Sequence, residues 1–336
     1  MVAHRGDLVR TLWGGDRPRN LMAMTRLDHG SLTRPAKTVP ERQGPMTFGE
    51  KFGAYVALTK PRIIELLLIT TLPTMVVAKR GLPSLTLMVY TLIGGALAAG
   101  GANAINMFVD RDIDQLMERT KNRPLPSGAL KPRNALVFAI TLEVVAFVQL
   151  WTTVNLLSAC LAVSATLFYV FIYTLWLKRT STRNIVIGGA AGAVPVLVGW
   201  SAVTNSLGWA PVVLFAIIFY WTPPHFWALA VKYADDYRNA DVPMLPAVTD
   251  LRTVGVRIVW YSVVLVAITI GFAPVGHMGW YYTVSAIVLG AAFLAMAVKL
   301  LRTPTPKVAM RLFGFSITYL TLLFVMMAAD QLIRNG

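Results

Sequence analysis

Long apolar segments recur along this chain from Ile63 onward, and only short polar segments separate them. A helix needs roughly 20 mostly apolar residues to cross a lipid bilayer, and these segments approach or exceed that length. The strands of a membrane β-barrel would alternate apolar and polar positions, whereas residues 185–200 are apolar on every face. The pattern predicts nine membrane-spanning helices, at residues 63–78, 85–109, 134–150, 154–177, 184–204, 209–231, 254–273, 280–300 and 312–332.

The composition agrees with a membrane protein rather than a soluble domain. Hydrophobic residues make up 56% and charged residues 14% of the 336 residues, and the mean hydropathy is +0.59. We therefore predict an all-α, polytopic protein in a lipid bilayer, with about nine transmembrane helices in one domain over residues 51–336. Residues 1–50 are polar, rich in arginine and without an apolar run of signal-peptide length, so we predict a disordered, basic N-terminal tail. Met46 is an alternative start.

Basic residues are concentrated in alternate loops of this predicted topology. The net charge is +15, and residues 110–133 contain six lysines and arginines, while residues 178–183, 232–252 and 302–311 contain three each. The loops on the opposite side contain only two. Because cytoplasmic loops carry the excess of Lys and Arg, the N-terminus and the four basic loops are predicted to be cytoplasmic. This bias accounts for the charge, so nucleic acid is not expected as a partner.

The predicted location is the plasma membrane of a bacterial cell. Mitochondrial transit peptides are poor in acidic residues, whereas the first 50 residues contain Asp7, Asp16, Asp28 and Glu41, so the mitochondrial inner membrane is the weaker alternative. The one cysteine, Cys160, lies within an apolar segment. A disulfide framework and a thiolate metal cluster are therefore excluded.

A polar stripe follows the second predicted span. Asn106, Asp110 and Asp114 recur every four residues, so on a helix each step turns by only about 40° and the three side chains share one face. Magnesium typically binds one or two carboxylates and completes its octahedron with water and substrate phosphates. We therefore predict that these three residues are Mg2+ ligands. Ordinary interfacial acids at a helix end are the alternative.

A second acidic cluster follows the sixth predicted span, on the same basic side of the membrane. Lys232, Asp235 and Asp236 occupy positions i, i+3 and i+4 and share a helix face, and Pro243 marks where that helix has stopped. The two acidic faces would then meet across one cavity, with Asp235 and Asp236 as metal ligands. A solvated loop that balances nearby arginines is the alternative.

Five cations lie in the loops beside these acids: Arg119, Lys121, Arg123, Lys178 and Arg179. Together with Mg2+, such cations neutralise a leaving diphosphate, which is the help that ionisation of an allylic carbon–oxygen bond requires. We predict that these residues bind a diphosphate. The alternative for each is a signal of membrane topology and nothing more.

His225 follows Pro223 and Pro224 within the sixth span. The double proline predicts a break of the helix at membrane depth, which is tolerated only where protein or a cavity satisfies the freed backbone. An imidazole at this place can bind a metal or exchange a proton. A histidine that is hydrogen-bonded within the helix bundle is the alternative.

The chain resembles the UbiA-type intramembrane prenyltransferase superfamily in these paired Asp-rich helix ends. Four segments extend the resemblance to the members that farnesylate haem, namely residues 58–62, 103–128, 173–200 and 225–246. The resemblance covers roughly residues 50–332.

This resemblance implies a nine-helix bundle around a central cavity, in which Mg2+ bridges the acidic residues and farnesyl diphosphate. It also implies transfer of the farnesyl group, with addition of water, to a vinyl group of haem b. The product would be haem O for terminal oxidases. A haem A synthase or oxidase assembly factors are the implied protein partners.

By position, the resemblance implies catalytic roles for Asp110, Asp236 and His225. It implies substrate-binding roles for Lys60, Arg62, Asn103, Asn106, Arg119, Lys121, Arg123, Lys178, Arg179 and Lys232. Two positions depart from the pattern: Lys232 stands where the superfamily often has a further acid, and Asp241 stands where the haem-farnesylating members usually have glycine. We therefore expect fewer carboxylates at the second cluster and no catalytic role for Asp241.

Two other functions stay open at this point. The same site could prenylate an aromatic quinone precursor instead of haem. A haem or lipid transporter could have the same number of helices and a histidine at the membrane midplane. A transporter, however, would not need two acidic, Mg2+-suited clusters that face a cationic loop.

Overall fold

The computed structural model describes residues 46–335, without the side chains of Arg62, Ile63 and residues 66–68. The predicted tail lies outside these residues except for residues 46–50, and the predicted role of Arg62 lies outside them as well. The described part of the chain is helical and contains no strand, in agreement with the all-α prediction.

Thirteen helices make up the described part of the chain. In chain order they are α1 (Phe48–Thr59), α2 (Pro61–Lys79), α3 (Leu85–Val109), α4 (Arg111–Leu116), α5 (Pro132–Thr153), α6 (Leu156–Thr180), α7 (Asn184–Thr204), α8 (Trp209–Lys232), α9 (Ala234–Asn239), α10 (Leu245–Val248), α11 (Leu251–Val275), α12 (Trp280–Arg302) and α13 (Pro306–Asn335). Eight of them are long and apolar enough to cross a membrane, and α2, with 19 residues, brings the long helices to the predicted nine.

Helix α1 was not predicted, because it is too short to span a membrane. Thr47 and Glu50 form a reciprocal capping box at its start. Phe48 and Phe52 are 87% and 65% exposed, which suits a helix that lies in the membrane interface. The helix ends at Lys60, which has a left-handed backbone conformation with φ 53° and ψ 64°, and Pro61 then begins α2.

Helix α6 departs from α-helical geometry between Phe168 and Leu177, where it is a π-helix. In agreement with the wider turn, the Thr174 hydroxyl donates to the carbonyl of Tyr169, five residues earlier, at 2.8 Å. The rings of Tyr169 and Tyr173 stack with their centroids 5.3 Å apart and border the same cavity. The wider turn therefore keeps both rings on the inner side of the bundle.

The long helices pack into one bundle with close backbone approaches. A Cβ atom on Gly188 of α7 would lie 2.2 Å from the Tyr173 ring, so only glycine fits at this contact. The largest apolar cluster includes Leu214, Phe293 and Phe324 and joins α8, α12 and α13.

The short helices α4 and α9 meet at one end of the bundle, where Ile113 and Met117 pack against Ala240 and Val242. We call this end the loop face; it consists of residues 110–131 and 233–250. Both predicted polar clusters lie there, so the structure agrees with the expectation that they share one end of the bundle.

Candidate active site

A cavity of about 730 Å3 begins at the loop face and continues between the helices. Its polar end is lined by Lys60, Asn103, Asn106, Asp114, Arg119, Arg123, Lys178 and Tyr237. Its deeper wall consists mainly of small and apolar side chains, including Ala98, Ala102, Ala162, Ala165, Val194 and Val198. A single chamber therefore joins a cationic end to an apolar interior.

The first polar stripe lies at the end of α3 as predicted, and its centre is Asp110. Asp110 is fully buried behind Asn106 and Lys178, which both line the cavity. The Asn106 amide donates to Asp110 Oδ2 at 2.7 Å, and the Lys178 ammonium pairs with the same oxygen. Among the described residues, Asp110 Oδ1 has no hydrogen-bond partner. A buried carboxylate oxygen without a donor is costly unless a cation or donor binds it.

Lys60 and Thr174 complete the surroundings of Asn106. The Lys60 ammonium donates to Asn106 Oδ1 at 2.8 Å, and the Asn106 amide also contacts Thr174 Oγ1 at 3.1 Å. Burial, with Arg123 and Lys178 nearby, lowers the pKa of Lys60 to about 7. An anion bound at this end of the cavity would favour the charged form of Lys60.

Asp114 and Arg123 form a second ion pair at the polar end, with a distance of 2.7 Å between Nη1 and Oδ2. The Asp114 side chain is 2% exposed, and the Thr120 hydroxyl donates to the Asp114 carbonyl at 2.9 Å. The loop after α4 therefore folds back over the stripe and brings Arg123 to the cavity.

In the second acidic cluster, only Asp236 reaches this loop. Asp236 Oδ2 accepts a hydrogen bond from the Arg119 backbone N–H at 3.2 Å, and the Arg119 guanidinium lies 5.4 Å from the centroid of the Tyr233 ring. Tyr237 borders the cavity, and burial raises the pKa of its phenol, so it stays a protonated donor.

Asp235 and Lys232 lie outside the cavity. The Asp235 side chain is 88% exposed and pairs with Arg238. The Lys232 side chain is exposed as well, with its ammonium 5.3 Å from the centroid of the Tyr233 ring. The predicted shared helix face is wrong, because α8 ends at Lys232 and Asp235 and Asp236 belong to α9, with Tyr233 between the two helices at φ -110° and ψ 22°. The cluster therefore contributes one of its two carboxylates to the surroundings of the site.

Two predicted diphosphate-binding cations are paired with acidic residues that do not line the cavity. Lys121 pairs with Glu118 at 2.5 Å. Arg179 makes two contacts of 2.7 Å to Asp112, and this hydrogen bonding lowers the pKa of Asp112 to about 2. Arg179 thereby joins α6 to α4, and its Nη2 also lies 3.9 Å from Asp110 Oδ1. Neither Lys121 nor Arg179 lines the cavity. The Asn103 amide borders the cavity and donates to the Thr59 carbonyl at 3.0 Å.

His225 borders the cavity below the polar end. Its Nδ1 lies 2.6 Å from the Ser316 hydroxyl, and its ring stacks between Trp221 and Phe313 at centroid distances of 4.2 and 4.6 Å. The expected helix break is wrong: α8 stays helical through Pro223 and Pro224. Both prolines are buried, and packing holds the helix although two backbone donors are missing.

Sequence reasoning did not single out Tyr169, Tyr173, Tyr237, Phe313 or Ser316. The π-helical turn brings the first two to the cavity, and no local pattern in the sequence predicts it. Phe313 and Ser316 belong to α13 and reach His225 through the packing of α8 against α13.

The arrangement fits a divalent cation that arrives with a phosphorylated substrate. In the described part of the chain, no three His, Cys, Asp or Glu residues converge into a ready-made metal site. Asp110 Oδ1 is buried without a hydrogen bond, 3.9 Å from Nη2 of Arg179, and Asp114 and the oxygen of Asn106 lie at the same end. Since Mg2+ usually takes one or two carboxylates and fills its other positions with phosphate oxygens and water, this donor set suits it.

Fold and site together define an intramembrane helical protein with a chamber that joins a cationic end to an apolar interior. Residues 67–324 match the profile of the UbiA prenyltransferase family, so the chain belongs to this family. Two curated relatives are named "Protoheme IX farnesyltransferase". The protein from Streptomyces avermitilis is 51% identical over 88% of this chain and 99% of its own length. The protein from Frankia alni is 55% identical over 84% and 99%, respectively.

Solved structures share the fold at low sequence identity. One, described as digeranylgeranylglyceryl phosphate synthase, has a TM-score of 0.70 and 17% identity over 84% of this chain and 99% of its own. A UbiA homolog from Archaeoglobus fulgidus bound to GPP and Mg2+ has a TM-score of 0.59 and 16% identity over 82% and 99%. These similarities support the arrangement of the helices.

Proposed function

We propose that this chain transfers the farnesyl group of farnesyl diphosphate to a vinyl group of haem b, in a Mg2+-dependent reaction within the bacterial plasma membrane. Water adds in the same reaction, and the products are haem O and diphosphate. Relatives that share half of the residues over almost their whole length support this substrate pair. A haem A synthase or oxidase assembly factors would use the product.

The shape and charge of the cavity carry the proposal. Lys60, Arg119, Arg123 and Lys178 surround its polar end, where a diphosphate would be neutralised. Beneath them, the apolar chamber suits a long isoprenoid chain, and its volume is in the range of pockets that enclose ligands of this size. A transporter would not need this local excess of cations beside buried acids.

The cations stabilise the leaving group while the C1–O bond of farnesyl diphosphate breaks and its electron pair moves to the diphosphate. Asp110, Asp114 and Asn106 would hold Mg2+, which supplies further positive charge to the diphosphate when bound. Tyr237 stays protonated and would donate a hydrogen bond to the diphosphate at the same end. The apolar walls keep bulk water from the allylic cation before the haem vinyl group attacks C1. Water then bonds to the resulting carbocation and releases a proton.

His225 lies where the acceptor would be held, below the diphosphate end and on the cavity wall. A haem offers an iron that binds imidazole, whereas a hydroxybenzoate offers none. Trp221 and Phe226 also border the cavity. Trp227 is 1% exposed and packs against Tyr261, so it does not provide the aromatic surface for the acceptor.

The test is to incubate purified protein with haem b and farnesyl diphosphate, with and without a Mg2+ chelator, and to analyse the extracted haem by mass spectrometry. We expect haem O and diphosphate in equal amounts, and neither product after chelation. Prenylation of hydroxybenzoate with haem left untouched would contradict the acceptor, and unchanged turnover after chelation would contradict the metal.

A further inference from the structure

Ser316 is a buried hydroxyl of α13 that the proposed reaction does not use. It is fully buried, and it lies 91 residues from His225 in the sequence. Its carbonyl accepts the Trp221 indole N–H at 2.8 Å, and its hydroxyl contacts His225 Nδ1 at 2.6 Å. One residue of α13 therefore holds both His225 and the ring that stacks on it.

The short contacts around the Ser316 hydroxyl determine where its hydrogen lies. Its Oγ is 2.6 Å from the Phe313 carbonyl oxygen and 2.6 Å from His225 Nδ1. Two oxygens at this distance repel each other unless a hydrogen lies between them, and the carbonyl has none to give. The hydroxyl must therefore donate to Phe313. The contact to Nδ1 then requires the hydrogen of the imidazole, so Nδ1 is the protonated nitrogen.

A neutral imidazole carries only one N–H, so Nε2 of His225 keeps its lone pair. The described residues offer no hydrogen-bond partner to Nε2, and His225 borders the cavity. The rings of Trp221 and Phe313 lie at 20° and 30° to the imidazole plane and limit its rotation. The ring is therefore fixed in one plane and one tautomer.

We propose that Ser316 is a positioning residue that keeps Nε2 of His225 ready to bind the iron of the acceptor haem. This inference rests on the proposed function, because it takes haem b as the acceptor. The Nε2 lone pair forms the bond to iron and displaces a weakly bound water, with no change of oxidation state. Hydrogen bonds from the other ring nitrogen orient imidazole ligands and raise their basicity in this way.

The experiment measures the absorption spectrum and affinity of ferric haem bound to the purified protein in the absence of farnesyl diphosphate. We expect an imidazole-ligated spectrum for the wild type and its loss in Ser316→Ala, with haem affinity lower by about 10-fold to 100-fold. Ser316→Thr keeps the hydroxyl and should retain most of the affinity. Ser262→Ala is the matched control, because Ser262 is equally buried but donates only to Ile258 within α11.

Two results would overturn the role of Ser316: wild-type spectrum and affinity in folded Ser316→Ala, or equal losses in Ser316→Thr and Ser316→Ala. A second measurement needs no change at Ser316. Solid-state 15N NMR of protein whose His4, His29 and His277 are replaced reads the tautomer of His225 directly. A hydrogen on Nε2 with bare Nδ1 would overturn the inference.

The proposed function fails in a different way. If the wild type makes haem O but shows no imidazole ligation, the iron contact is wrong and the reaction stands. If it makes no haem O, the proposed function itself is wrong, whatever the spectrum of bound haem.

Discussion

Each of the two acidic clusters contains two aspartates, yet the clusters differ in burial. Asp110, which follows α3, and Asp114 in α4 are 0% and 1% exposed and are paired with Lys178 and Arg123, respectively. In α9, Asp236 is half-buried and Asp235 is 88% exposed. A buried carboxylate beside cations and a cavity can act on a bound diphosphate, whereas an exposed ion pair is screened by solvent. The difference in burial predicts that substitution reduces turnover most at Asp110, less at Asp114 and Asp236, and least at Asp235.

The largest effect is expected from Asp110. Asp110→Ala removes the carboxylate at the centre of the stripe, so leaving-group stabilisation of several kcal/mol is lost and turnover falls about 1000-fold. Asp110→Asn, which keeps the volume, should lose nearly as much. Haem O formation measures the loss, and chromatographic behaviour in detergent checks the fold. Near-normal turnover in either variant at ordinary Mg2+ would remove Asp110 from the mechanism.

A smaller effect is expected from Asp114. Asp114→Asn weakens both the metal site and the pair with Arg123, so half-maximal activity should need about 10-fold more Mg2+. Part of the activity should return at high Mg2+ concentration. A Mg2+ titration of turnover measures the shift. An unchanged Mg2+ requirement would show that Asp114 serves only to hold Arg123.

The next effect is expected from Asp236, which holds the Arg119 backbone. Asp236→Ala frees the loop over the cavity, so we expect turnover about 10-fold to 100-fold lower, because misplaced groups reduce catalysis strongly. If Asp236 also binds the metal, Asp236→Ala should lose as much turnover as Asp110→Ala. Parallel kinetics of the two variants separate these outcomes. Full activity in Asp236→Ala would exclude both roles.

The smallest effect is expected from Asp235, the matched neighbour of Asp236. Asp235→Ala breaks an exposed pair with Arg238, so turnover should change less than about twofold. Steady-state kinetics at a fixed concentration of farnesyl diphosphate measures this change in turnover. A loss comparable to that of Asp236→Ala would mean that α9 turns inward when substrate binds.

Labelling of the loop face should leave activity unchanged and report its side of the membrane. In a chain whose Cys160 is replaced, single cysteines at Ser127 and Thr249 should both react with an impermeant reagent from the cytoplasmic side only. Reaction of the two sites from opposite sides would contradict the shared loop face.

Much of the fold followed from local patterns. The predicted spans 85–109 and 184–204 coincide with α3 and α7, because a long apolar segment can satisfy its backbone in a bilayer only as a helix. Helix α13 begins at Pro306 rather than at residue 312, because its first turn continues into the basic loop. Helix α1 was not predicted because its 12 residues are too few for a membrane span.

The sequence by itself determined the number of long helices, the face shared by Asn106, Asp110 and Asp114, and the basic side of the bundle. These features depend on the spacing of polar residues and on the composition of single helices and loops. Tertiary structure alone decided that Asp110 is buried against Lys178, 68 residues away, while Asp235 points to solvent. It also decided that Ser316 meets His225, 91 residues away. Burial and long-range hydrogen bonds arise from how helices pack, and packing depends on all the surfaces that meet at a site.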